Sequence, residues 1–151
     1  MSNWSWLFFV LGTILCWGAY GPILHKGQLG LEGNPWKAIL CVGGAYFVLA
    51  VVVPILILRL QGATLSFPLS GTLFASVAGA LGAVGAICIA AALKTGGKPI
   101  NVIPLVFGCA PLVNIAVSSW LHPPEKTLSP FLYLGVLCLA VGAGLVMYFK
   151  P

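Results

Sequence analysis

The chain has 151 residues, of which 60% are hydrophobic and only 6% charged, and its seven Lys and Arg against two acids give a formal net charge of +5. Soluble domains carry roughly 25% charged residues, so this composition, with a mean hydropathy of +1.09, excludes an ordinary soluble domain and points to an integral membrane protein. The basic residues stand singly along the chain and form no patch, which argues against nucleic acid as a partner.

A bilayer core needs about 20 apolar residues per helix, and the few charges mark the joints between such runs. Five helices are predicted at about 4–23, 38–58, 70–92, 100–120 and 130–149. The expected fold class is therefore all-α, a polytopic membrane protein with residues 1–151 forming one five-helix transmembrane domain. The connections carry turn chemistry: Gly27, Gly30, Gly33 and Pro35; Gly62 and Pro68; Gly96, Gly97 and Pro99; Pro123, Pro124 and Pro130. Five crossings would put Lys26, Lys37, Lys94, Lys98 and Lys150 on one side and Arg59 and Lys126 on the other. By the positive-inside rule this predicts a cell-membrane protein with the amino terminus outside and the carboxyl terminus cytoplasmic.

The first span has no basic residue ahead of its apolar run and no A-x-A site after it, so it reads as a transmembrane helix rather than a signal peptide. Its closing stretch, CWGAYGPILHKG, is richer in polar and aromatic groups than lipid contact requires. Thr13, Trp17, Tyr20 and Leu24 are spaced i, i+4, i+7 and i+11 and share a face, with Gly21 beside Tyr20. Near a span end, Trp and Tyr commonly belong to the interfacial belt; the functional reading is a face that lines a cavity with aromatic walls. His25 and Lys26 fall at or just beyond the predicted end, where Lys snorkels to the headgroups.

In the third span Ala78, Gly82, Ala86 and Ala90 recur every four residues, beside a second strip of Gly71, Ala75, Gly79 and Ala83. Such strips permit close approach of helices, so this span is expected to be a packed interior helix. Lys94 continues the first strip and reaches either a cavity mouth or the lipid headgroups. On the fourth span Asn101, Pro104, Gly108, Pro111, Asn114 and Ser118 fall within an arc of about 140° on an ideal helix. One face is thus polar, small and interrupted by prolines. Each internal proline frees a backbone carbonyl, tolerated in a membrane where protein or a water-filled cavity satisfies it, and transporters often build substrate-binding helices in this way. The alternative is a kinked packing helix whose amides bond to neighbours. In the fifth span Gly135, Gly142 and Gly144 suggest a contact with another subunit.

Catalysis finds no support. The chain has no aspartate, and its two acids, Glu32 and Glu125, lie in connections. Neither His25 nor His122 has a metal-ligand companion at recognisable spacing, and no G-x-S-x-G motif occurs. Cys16, Cys41, Cys88, Cys109 and Cys138 all sit inside predicted spans with no C-x-x-C pair, which suggests neither a disulfide framework nor a zinc site. No enzyme, metal or cofactor is expected.

Several features in order resemble the drug/metabolite transporter superfamily, in particular its EamA-like domain. They are the Trp17-Gly18 pair with Lys26 closing the first helix, the small-residue third helix, and Pro111 followed fourteen residues later by Glu125, then Thr127, Gly135 and Gly142. That domain is a five-helix unit, usually present twice in inverted orientation. The resemblance implies that this chain is one half of an inverted-repeat transporter. The Thr95–Pro99 connection is more basic than the family's usual link, and the first helix lacks the glutamate with which small multidrug resistance proteins couple export to protons, so that coupling route is in doubt.

The function expected from the polar face and the resemblance together is membrane transport of a small metabolite, by a half-transporter acting as a homodimer or with a second five-helix half. Trp17, Tyr20, Asn101, Pro104, Pro111 and Asn114 are the expected substrate-binding residues, with Lys94 at the mouth. With no acid inside the spans and lysines at one rim, a neutral or anionic substrate is favoured over a cation. The rival expectation is a non-transporting membrane subunit that docks a partner protein or lipid.

Overall fold

A computed structural model of the protein describes residues 5–123 and 129–149, which are helical apart from short turns, with no strand among them. Five helices are long and apolar enough to cross a membrane: α1 (Ser5–Gly30), α2 (Pro35–Leu60), α3 (Leu69–Lys94), α4 (Pro99–Leu121) and α5 (Pro130–Tyr148). Trp4, Glu125, Lys126, Thr127 and Lys150, which carry an expected helix start, part of the charge asymmetry and part of the resemblance, lie outside the described residues.

The five helices match the expected spans closely except at one end. α1 does not stop near residue 23; it continues through Pro22 to Gly30. A helical proline clashes with the carbonyl four residues earlier, here that of Gly18, and Gly and Pro are more frequent in membrane helices than in soluble ones. The break comes at Glu32 and Gly33, whose φ values are +59° and +67°. Gly33 N–H donates to Gln28 O at 2.8 Å, closing the last turn. Asn34 then caps α2, its side chain accepting from Trp36 N (2.9 Å) and Lys37 N (3.4 Å), and Pro35 occupies the first helical position, where no N–H is needed. Across this turn Lys37 pairs with Glu32, an exposed ion pair.

α2 is one span by length but is not regular. Val48–Val52 widens into a π turn immediately before Pro54. The pyrrolidine ring would meet the Ala50 carbonyl in a regular helix, and a wider turn moves that carbonyl aside.

The chain divides into two compact units, Met1–Gly21 with Gly97–Pro151, and Pro22–Gly96. In the first, α4 and α5 pack side by side, and a Cβ placed at Gly108 would lie 2.7 Å from Ala143 Cβ and 3.4 Å from Leu139 O. The first part of α1 also touches α4 locally, since a Cβ at Gly21 would overlap the Ile103 side chain. In the second unit the buried residues gather where the end of α1, the start of α2 and the end of α3 meet: Leu24, Gln28, Ala38, Ala90 and Leu93.

The expectation of a packed interior third helix is corrected here. Every residue of α3 from Leu69 to Gly85 is exposed, nothing lies near the Cβ positions of Gly71, Gly79 or Gly82, and burial begins only in the last turns. Small side chains permit a close approach but supply little attraction of their own, so a strip identifies a face without supplying its partner.

The glycine contacts generate the first prediction. Gly108→Leu forces bulk into a gap already closed by Ala143 and should cost about 1–3 kcal/mol, read as a lower unfolding temperature in detergent. Gly142→Leu, where nothing lies within 4 Å of the added Cβ, should leave that temperature unchanged for the monomer.

Candidate functional site

The face of α1 expected from spacing is covered only along its later half, since Thr13 and Trp17 are exposed. Along it Tyr20 is half-buried with its hydroxyl oxygen enclosed, Gly21 and Leu24 are buried, and Thr13 folds its hydroxyl back onto Phe9 O at 2.9 Å. Because α1 ends at Gly30 rather than near 23, Trp17 lies at its middle, about 18–20 Å from either end at 1.5 Å per residue.

Trp17 meets α4 through Phe107, the rings 5.8 Å apart and tilted at 46°, a spacing at which aromatic pairs attract. Gly21 against Ile103 continues this contact one turn on, so the two helix segments run antiparallel. Relative to Ile103 on an ideal helix, Phe107 lies about 40° away, Asn114 about 20°, Pro111 about 80°, Pro104 about 100° and Asn101 about 160°. Asn114 therefore falls in angle between Ile103 and Phe107, about two turns beyond Phe107, while Asn101 lies on the far side. Asn101 and Pro111 are half-buried, whereas Pro104 and Asn114 are exposed. No side-chain hydrogen bond is described for either asparagine.

The prolines add acceptors to this region. Pro111 cannot donate to the Phe107 carbonyl, nor Pro22 to the Gly18 carbonyl, nor Pro104 to that of Ile100. Phe107 is the ring partner of Trp17, and Gly18 is its neighbour in the chain. Two backbone carbonyls lacking their in-helix donors thus belong to the residues that form or adjoin one aromatic contact. That combination suits a ligand with an apolar face and a hydrogen-bond donor.

Lys94 is the last residue of α3 and is exposed, and a Cβ at Gly33 would lie 3.5 Å from its ammonium nitrogen. It reaches the turn between α1 and α2, at the rim of its own unit.

Two residues beyond the expected set stand out. Gln28 is 3% exposed and donates from Nε2 to Ala90 O at 3.0 Å, joining positions 62 apart in the chain. It continues the series Thr13, Trp17, Tyr20, Leu24 at i+15, a signal hidden by ending the helix at residue 23. His25 is half-buried, with Nδ1 enclosed and without a hydrogen-bond partner. Among the described residues no group of three or more His, Cys, Asp or Glu can hold a metal, and the five cysteines are free thiols, with Cys109 half-buried and the other four exposed.

The chain finds no match among protein-family models, curated proteins or solved structures.

The Gln28 bond yields the next prediction. Gln28→Leu removes a hydrogen bond of a kind that averages about 0.6 kcal/mol inside membranes, so thermal unfolding in detergent should shift down by a few degrees at most. Gln28→Ala also opens a gap beside Leu24 and Leu93, and should shift it further.

Proposed function

We propose that the chain is a multi-pass membrane protein and works as one half of a transporter for a small metabolite, pairing with a second copy or with another five-helix half. The apolar windows of the five helices are between 0% and 11% buried within the chain, so their surface needs lipid or another protein to cover it. Bilayer lipid supplies that cover most simply.

The observation that carries the transport reading is the mid-helix constellation of Trp17, Phe107 and the proline-freed carbonyls, with Asn114 about two turns beyond Phe107. Polar groups left uncovered on a helix of hydrocarbon length are costly against lipid. They are tolerated where they line water or meet a second protein surface, as in the broken helices of transporters. In this reading Trp17, Tyr20, Pro104, Pro111, Asn101 and Asn114 contact substrate, while Lys94 lies at the rim. The resemblance to EamA-like drug/metabolite transporters supports the same reading and would make the missing half an inverted repeat. Open space beside Gly135 and Gly142, which share one face of α5, leaves that face available for the second half, while the open space beside Gly144 lies on the opposite side.

The exposed small-residue strip of α3 favours a second reading, a non-transporting subunit that docks a partner protein through that face. Flux separates the two. In proteoliposomes screened with neutral and anionic metabolites, the wild-type protein should show saturable uptake, and Trp17→Leu and Asn114→Leu should each reduce it at least about tenfold while the protein still inserts. Full activity in both variants would remove these residues from the site, and the absence of flux with every metabolite would favour the docking reading.

Topology is tested separately. The distribution of Lys and Arg puts the carboxyl terminus in the cytoplasm, so a reporter fused after Pro151 should signal from the cytoplasm alone. A signal from the opposite side would overturn the orientation, and mixed signals would indicate dual insertion.

A further inference from the structure

We propose that His25 and Gln28 form a binding site for a hydroxyl group, and that the small molecule taken is an uncharged polyol. The inference rests on the transport reading above and narrows its substrate class.

The site begins with the Gln28 amide. Its partner is a backbone carbonyl, which only accepts, so the NH₂ of the amide must face Ala90 and the oxygen must turn away. Burial of Gln28 to 3% exposure and the bond to α3 hold this orientation. No described hydrogen bond uses the oxygen, which is left as a fixed acceptor.

His25 stands three residues earlier on α1. Residues i and i+3 are neighbours on a helix surface, about 60° apart in angle and about 4.5 Å apart along the axis. Its Nδ1 is enclosed and lacks a partner. Two adjacent polar groups inside an apolar helix end, one a fixed acceptor and one an unpaired ring nitrogen, call for a third group that bonds to both.

A hydroxyl meets that requirement. Its O–H donates to Gln28 Oε1, and its oxygen accepts from Nδ1–H in the tautomer that carries the proton there. A cation would find no free carboxylate in this unit, since Glu32 is exposed and paired with Lys37. An anion would meet the negative end of the amide dipole. The neutral hydroxyl is the group these atoms fit, and it comes from a polyol or from a fixed water molecule, which has the same hydrogen-bonding chemistry.

The test uses the full chain in nanodiscs, with glycerol binding read by saturation-transfer NMR and glycerol flux read by light scattering from proteoliposomes. Wild type should bind glycerol saturably. His25→Phe, which leaves the Gln28–Ala90 bond in place, should weaken binding by about tenfold or more, equivalent to about 1.4 kcal/mol. Gln28→Leu should do the same, and His122→Asn should bind like wild type. If Gln28→Leu fails to fold, His25→Phe carries the decision.

Binding that depends on both residues without flux would uphold the site and sink the transport reading. Flux of other metabolites with no glycerol binding would uphold transport and overturn this inference. It is equally overturned if the His25 nitrogen signal exchanges with water but ignores glycerol, which would mean a fixed water only, or if both variants bind glycerol like wild type.

Discussion

Absent side chains, more than large ones, hold this protein together. No large side chain is fully buried among the described residues, and the buried set is dominated by small or medium groups: Ala38, Ala90, Ala143, Leu24, Leu93 and Ile103. The closest approaches occur where a Cβ is missing, at Gly21 against Ile103 and at Gly108 against Ala143. In the bilayer proposed for these helices, burial of hydrocarbon would give little drive, and association would depend on short-range packing and on the few polar bonds that cross. The Trp17–Phe107 ring contact exists because Gly21 brings the two helix segments near enough, one turn away. Gln28 supplies the polar counterpart in the other unit, tying the end of α1 to α3.

The amount of this that the sequence discloses follows from which physical signals are local. Helix number and approximate extent are local, because apolar run length and the position of charges fix them, and the five helices were legible on that basis. Helix ends were less so. The glycines and proline between Gly18 and Gly30 look like a stop, yet only Glu32 and Gly33 leave helical φ, and that choice depends on the capping of α2 by Asn34 as much as on α1 itself. The π turn before Pro54 was signalled by the proline and went unread. The spacing on α1 marks Tyr20 and Leu24 and extends to the buried Gln28, whereas Thr13 and Trp17 on the same face stay exposed.

Partners were the illegible part. Periodicity says that a face is small or polar without saying what meets it. The strip on α3 was therefore read as interior, although from Leu69 to Gly85 it stays exposed in the chain. The same ambiguity holds for α4, whose polar arc does not say which residues meet α1. The contact is made by Ile103 and Phe107, at the edge of that arc, because bulky side chains fill the gap left by Gly21 better than an amide would. Tertiary neighbours are set by shape complementarity between distant segments, and no single-helix pattern contains that information.

This arrangement bears on how a site in the protein would work. A helix whose prolines remove hydrogen bonds at Ile100 and Phe107 has carbonyls that need donors from elsewhere. Asn114 points the same way as Ile103 and Phe107 but is exposed, and Asn101 lies on the far side, so neither amide is placed against those carbonyls. With Ile103 and Phe107 against α1, the demand stays open in an apolar surrounding where water is scarce. A region of this kind is stable only if something with donors visits or resides there, a water chain, a second chain or a ligand. The aromatic pair beside the acceptors suits a ligand whose hydroxyls donate while its C–H groups lie on the rings, as an uncharged polyol does. Selectivity in the proposed transporter would then come from backbone acceptors fixed by proline rather than from charged side chains, which agrees with a sequence that contains no aspartate and keeps its two glutamates outside the apolar runs.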